Sequence, residues 1–360
     1  MRHNPYRHIY FLIFLLFVVL LATGFVLYYR HFFLSYQREI SANVHENLVR
    51  IAVATVFERG LLEHRGSATL IFTGDVMLSR SVAIQVEKHG GDYAFPFEPV
   101  RSFLRGADIL FGNLENPVSL RGANHGSIYS FRADPGAVRG LSSAGYDVLS
   151  VANNHIWDWG VDALIDTVTL LEGADISPVG AGKDYAAANA WVEKKVNGVK
   201  IGFLAFTNLY PKGLEAVSGT PGISSFDEGA VAKRIREAKE NGAIDLAVVS
   251  FHWGDEYKTH SNAEQERIAR GLVDAGTDIV VGHHPHVVEE TEHYRGGWIF
   301  YSLGNFVFDQ YFSEETMEGM VVKVAVRNKK VSDVEFYKSK QNAAYQVESI
   351  MPFVPELTAE

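Results

Sequence analysis

Residues 9–29 read IYFLIFLLFVVLLATGFVLYY, a run without one charged side chain. A helix rises about 1.5 Å per residue, so this run is long enough to cross a hydrocarbon core of about 30 Å. In lipid every backbone polar group must be paired inside the segment, which leaves a helix as the form open to a single isolated span. Tyr10, Tyr28 and Tyr29 stand near its ends, where aromatic rings favour the membrane interface. A cleaved signal peptide has a shorter apolar stretch, about 7–15 residues, followed by a small-residue cleavage site. Here the run passes directly into Tyr-Tyr-Arg, so residues 1–30 read as a short tip and an uncleaved signal anchor. Arg2 and Arg7 precede the span and Arg30 and Arg38 follow it, so charge alone does not orient it.

The remainder must fold as an ordinary globular chain. Of 360 residues 47% are hydrophobic and 21% charged, which excludes a disordered or fibrous body. The net charge of −10 comes with no stripe of Lys and Arg, which argues against a nucleic-acid coat. A polyanionic ligand would need a metal or a local basic pocket. With no cysteine, disulfides, thiolate ligands and cysteine nucleophiles are all removed, so a metal site must be built from His, Asp, Glu or Asn.

Residues 31–66 carry Ile40, Val44, Leu48, Ile51 and Val56 at three- to five-residue intervals and predict a helical stalk. Gly66 and Ser67 mark its end. From there to about residue 340, short β-branched runs alternate with amphipathic helices, the pattern of an α/β domain. Strands are predicted at 69–73, 108–111, 147–151, 200–206, 246–251, 278–281 and 298–303, and helices at 160–172, 227–240 and 262–275. Ser261 and Glu264 have capping-box spacing before the last helix. Segments 320–326 and 331–337 predict a closing hairpin, and 341–360 a tail.

Nearly every predicted strand runs straight into a residue able to bind a metal. Strand 69–73 leads to Gly74-Asp75, and 108–111 to Gly112-Asn113-Leu114-Glu115. Strand 147–151 leads to Asn153-Asn154-His155, 246–251 to His252, and 278–281 to Gly282-His283-His284-Pro285-His286. In open α/β sheets the carboxyl ends of the strands gather along one edge, where ligands bind. Singly, these features have simpler explanations: Gly-Asp makes turns, Asn caps helices, and a lone His sits hydrogen-bonded in many cores. Three imidazoles in four residues are seldom needed for packing. Carboxylates, neutral imidazoles and an amide oxygen together suit one divalent cation or a pair, with Mn, Zn and Fe all compatible. Such a pair activates water for metal-assisted hydrolysis. Neither a nucleophile elbow nor a dinucleotide loop is present.

The order of these motifs resembles the calcineurin-like metallophosphatases and, more closely, the CapA/PgsA poly-gamma-glutamate capsule proteins. The resemblance is carried by Phe72-Thr73-Gly74-Asp75-Val76-Met77-Leu78, Asn113-Leu114-Glu115, Asn153-Asn154-His155 with Asp158 and Gly160, His252-Trp253-Gly254-Asp255-Glu256, Gly282-His283-His284-Pro285-His286-Val287 and Tyr301-Ser302-Leu303-Gly304-Asn305-Phe306. It implies an α/β/β/α metallophosphatase sandwich behind an N-terminal transmembrane helix. It implies Asp75, Glu115, Asn154, His252, His284 and His286 as ligands of a divalent metal, with His283 leaving open which two of three imidazoles bind. Asp75 and His155 would then be catalytic, His155 as general acid or transition-state donor. Arg80, just past Asp75, and Asn305 are candidates to hold substrate, and Trp157, Trp159 and Trp253 to wall a pocket.

The implied role is a single-pass membrane protein with an extracytoplasmic domain in poly-gamma-glutamate synthesis or export. Its expected partners are the polymer, a membrane-bound ligase and small membrane subunits, and not nucleic acid. Two departures from the phosphatase pattern, Met77 for His and Glu115 for Asp, keep two further readings open: a phosphohydrolase for another anionic substrate, and a non-catalytic scaffold.

Overall fold

A computed structural model describes residues 7–125, 128–210 and 212–358. The expected tip, 1–6, lies outside the described residues. The chain divides into two compact units, Met1–His64 and Arg65–Glu360.

The first unit is one continuous helix, Arg7–His64, 58 residues long, so the apolar run and the stalk are not separated by a break. Within it Leu15–Arg38 is long and apolar enough to cross a membrane, with mean hydropathy 1.7. Leu16, Phe17, Leu20, Leu21, Phe25 and Leu27 all face outward. A helix apolar on every side is stable only inside a core or a bilayer. Along the stalk Val44 and Leu48 are exposed, while the side chains of Ile40, Ile51 and Val56 are outside the described set.

The second unit holds two large sheets and a two-stranded one formed by Ala181–Gly182 and Gly222–Ile223. The eight-stranded one runs in the order Val347–Pro352, Lys330–Gln341, Glu318–Arg327, Ala68–Val76, Ile109–Leu114, Val148–Ser150, Ser177–Val179, with Asn305–Val307 pairing in parallel beside the end of Ala68–Val76. The seven-stranded one runs Leu357–Thr358, Thr291–Tyr294, Gly297–Phe300, Ile279–His283, Leu246–His252, Val199–Thr207, Val192–Val196. Alternation along the strands sets the layers, because successive side chains point to opposite faces. Leu70, Phe72, Ile109, Phe111 and Val148 meet Phe203, Val248, Val281 and Phe300 between the sheets. Their neighbours Ile71, Leu110 and Leu149 pack outward under Val82, Leu141 and Leu164, while Leu204, Val249 and Val280 pack under Ile235, Ile268 and Leu272. The result is the expected α/β/β/α sandwich.

Most predicted elements form within a few residues of their expected bounds, including Gly160–Glu172, Glu228–Glu240 and Ala263–Asp274. Three differ. The capping box uses Asn262 and Gln265, one position later than expected, because the Ser261 hydroxyl and amide are taken by the buried Glu290. Among the described residues of the expected tail, 341–358, Val347–Pro352 and Leu357–Thr358 join one sheet each, and Val347 is fully buried, so this stretch is not a tail. Strand 298–303 ends at Phe300, and the chain turns before adding the short strand Asn305–Val307. That turn is possible because a Cβ on Gly74 would stand 1.9 Å from the Gly304 oxygen. The two backbones meet closely enough for Asp75 N to donate to Gly304 O at 2.9 Å.

Candidate metal centre

The parallel strands of both sheets deliver their carboxyl ends to one place. Asp75 and Glu115 come from the first sheet, and His252, His284 and His286 from the second or the loop after it. All five are buried, and Asp75 and Glu115 have no exposed surface at all. Donor atoms of Asp75, Glu115 and His252 lie within 4.8 Å of one another, and so do those of Glu115, His284 and His286. Glu115 belongs to both groups. Asn154 Oδ1 is 2.9 Å from His252 Nε2. His284 and His286 sit at φ 101° and 61°, a region that costs a non-glycine residue of order 1–3 kcal/mol and persists where the surroundings enforce it. The His284 amide donates to Asp75 Oδ2 at 3.2 Å, which is one such enforcement.

Of the three clustered imidazoles, His283 goes elsewhere. It continues the inward alternation of Ile279 and Val281 and lies beside Phe111 between the sheets. Its Nδ1 approaches Asp75 Oδ1 at 3.2 Å without hydrogen-bond alignment, and both its nitrogens lack hydrogen-bond partners among the described residues. Met77 is fully buried in the outer core and accepts from the Ser79 hydroxyl at 2.9 Å, so nothing at that position reaches the cluster.

The electrostatics are those of a donor set short of a positive charge. Burial acts to raise the Asp75 pKa, yet contacts with His283 and His286 hold the carboxyl well below the usual range. Burial, then the charges of Asp75 and Glu256, push Glu115 well above it. Burial, with the neighbouring His286, depresses His284 to about 3, and burial beside His284 lowers His252 too. Neutral imidazoles are what a metal requires. Glu115 Oε1 and His284 Nδ1 have no hydrogen-bond partner among the described residues, an expensive state for buried polar atoms. A divalent cation would satisfy both, so the residues present fit one.

Beside the cluster opens a cleft of about 450 Å³, lined by His155, His286, Arg80, Glu256, Tyr257 and aromatic side chains. His155 is oriented from two sides: Nδ1 meets Asp158 Oδ2 at 2.8 Å, and the ring stacks on Phe131 at 3.9 Å. Arg80 is held by a two-point contact to Asp309, Nε to Oδ2 at 3.1 Å and Nη2 to Oδ1 at 2.8 Å.

Asn305, a candidate to hold substrate, does not line the cleft. It is 1% exposed and turns its Oδ1 to His286 Nδ1 at 3.0 Å, because its strand lies in register with Asp75 beneath the cluster. The tryptophans do not wall the cleft either: Trp253 is a core residue bonded to Tyr301 O, and Trp159 stacks under Arg132. Two residues have roles the sequence reading did not assign. Asn113, named only within a motif, is in the strand, and its Nδ2 contacts Asp75 at 2.9 Å and Glu115 at 3.3 Å. Asp309 follows the unpredicted strand Asn305–Val307, and the same strand-end rule would have found it.

Residues 69–310 match the family described as "Bacterial capsule synthesis protein PGA_cap". The chain is 38% identical over 275 residues to the capsule biosynthesis protein CapA of Bacillus anthracis, covering 74% of this chain and 66% of that protein. It is 40% identical over 243 residues to the PGA biosynthesis protein CapA of Bacillus subtilis (strain 168), covering 66% and 63%. The match thus spans just under two thirds of each of these relatives. Among solved structures, the NAD nucleotidase of Haemophilus influenzae superposes with a TM-score of 0.46 at 10% identity, over 80% of this chain and 60% of that one.

Proposed function

The chain belongs to the bacterial capsule synthesis protein PGA_cap family, and from that membership and the buried donor cluster we propose a membrane-anchored, extracytoplasmic component of poly-gamma-glutamate capsule synthesis or export with a metal-dependent hydrolytic site. The observation that carries the chemistry is Glu115, shared by two donor groups and left with an unpartnered oxygen. Asp75, Glu115, Asn154, His252, His284 and His286 would hold one or two divalent ions of Mn, Zn or Fe. Bound there, such ions supply Lewis acidity and a water acidified toward neutral pH.

The protein's own groups do the rest. Asp75 and Glu115 fix the reacting centre from the first sheet. His155, its Nδ1 engaged by Asp158, keeps Nε2 for proton donation to a departing group. Arg80, with Nε and Nη2 committed to Asp309, has Nη1 left to meet an anion. Phe131 and Tyr257 line the cleft beside these groups. The helix Arg7–His64 would anchor the chain by one span, with Arg65–Glu360 outside the cell beside a ligase and small membrane subunits.

The test is genetic. In a polymer-producing host, deletion removes surface poly-gamma-glutamate, the wild-type gene restores it, and His155→Ala does not. Undiminished polymer in the deletion strain refutes the capsule role. A second reading, a scaffold without turnover, draws on Met77 being sequestered in the core. It predicts instead that His155→Ala and Asp75→Ala both restore polymer.

A further inference from the structure

The backbone oxygen of Thr316 accepts a hydrogen bond whatever the pH. Asn305 Nδ2 donates to it at 2.9 Å, and donates its other hydrogen to Gln310 Oε1 at 3.0 Å. With both amide hydrogens so placed, the Asn305 oxygen is the atom that faces His286 Nδ1, at 3.0 Å, and Asp75 Oδ2 stands behind it as a second, longer acceptor at 3.4 Å. An amide oxygen only accepts, so Nδ1 must carry the hydrogen, and in the neutral ring the lone pair is then on Nε2. That nitrogen lies 3.6 Å from Glu115 Oε1, the oxygen without a partner. The lone pair and the unpartnered oxygen thus face each other across a gap too long for a hydrogen bond. Gln310 is itself anchored, its Nε2 donating to Tyr257 OH at 3.2 Å on the cleft wall.

We propose that Asn305, held by Thr316 and Gln310, is a positioning residue that locks His286 in the Nδ1–H tautomer and so aims its Nε2 lone pair at a divalent cation shared with Glu115. The inference rests on the metal reading above and adds to it the group that prepares the ligand. Outer hydrogen bonds of this kind orient metal-binding imidazoles, and their loss costs about 10- to 100-fold in metal affinity. Asn305 does not itself line the cleft, and acts through His286.

The experiment uses the full chain in detergent, labelled with ¹⁵N in histidine. Long-range ¹H–¹⁵N correlation reads the tautomer of His286, whose signals are identified by their loss in His286→Gln. Titration with Mn²⁺ or Zn²⁺ gives the dissociation constant. Wild-type protein shows Nδ1–H, whereas Asn305→Leu, with only the longer Asp75 contact left at Nδ1, gives a mixed tautomer and binds metal about 10- to 100-fold more weakly. Gln310→Leu, which leaves Thr316 O in place, gives a smaller loss. A wild-type ring protonated at Nε2 overturns the lock without recourse to any variant, including the case where Asn305→Leu fails to fold. Full-strength metal binding by a folded Asn305→Leu overturns the lock and leaves the metal reading standing. A wild-type chain that binds neither ion overturns the metal reading, and the aim of the lock with it, even where the tautomer is as derived.

Discussion

Asp75 and Glu115 are two carboxyl groups without exposed surface, bridged by the Asn113 amide, whose proton affinities are driven in opposite directions. Asp75 stays ionised because His283 and His286 face it; Glu115 holds its proton because burial and the Asp75 charge disfavour a second anion. A divalent ion reverses the second balance. Binding therefore displaces the Glu115 proton, and affinity rises with pH. Calorimetry in buffers of different ionisation enthalpy measures this directly: wild-type protein releases a proton on binding, and Glu115→Gln releases fewer and binds far more weakly.

His155 and Asp158 divide labour in a way that kinetics can separate. Removing the imidazole in His155→Ala takes away the proton donor, with an expected loss of about 10²- to 10⁴-fold in kcat on any ester the protein turns over. Asp158→Asn leaves the ring but loosens its orientation and gives a smaller loss. Neither residue is in the donor cluster, so metal content is unchanged in both.

Glu289 tests the electrostatics away from the site. Burial, then the charges of Glu290 and Asp255, raise it from the ordinary 4.5 to about 8, although Gln265 donates to it. A raised native pKa means that the folded state binds the proton more tightly. The carboxyl thus costs nothing below 4.5 and progressively more as pH climbs to about 8. At about 1.4 kcal/mol per tenfold change in proton affinity, the full effect is on the order of a few kcal/mol. Glu289→Gln should raise Tm over wild type, by more at about pH 8 than at about pH 5. A gain that shrinks with rising pH would contradict the assignment.

Gly74 explains how a strand from late in the chain reaches the first carboxylate. In Gly74→Ala the new methyl would meet the Gly304 carbonyl oxygen, backbone against backbone, and cannot be relieved by a rotamer change. Overpacking of this kind costs about 1–3 kcal/mol, and here it also pries Asn305 from Asp75. Denaturant titration should show the loss, and metal affinity should fall with it.

The legible part of this chain was set by rules that act locally. Alternating apolar runs place Leu70, Phe72 and Phe111 inward and Ile71 and Leu110 outward whatever else surrounds them, which makes strands and layers readable. Five of those strands end in metal-capable side chains, and Asp75, Glu115, His252, His284 and His286 do lie together. What was not legible depends on contacts between distant segments. The role of Asn305 is decided by Thr316, Gln310 and the close approach of Gly74 to Gly304, none of which a short window contains. The choice of Asn262 over Ser261 as helix cap turns on Glu290, twenty-nine residues from Ser261. His283 separates from its neighbours only when the inward face of its strand is known.

The central claim is that the cluster around Glu115 is a divalent metal site. Elemental analysis of the detergent-solubilised full chain, purified without chelator and without added metal, tests it most directly. The account predicts one to two equivalents of Mn, Zn or Fe in the wild-type protein, and a loss of most of it in Glu115→Gln and His286→Gln variants that remain folded. A wild-type chain that is metal-free and takes up no ion on addition would contradict it.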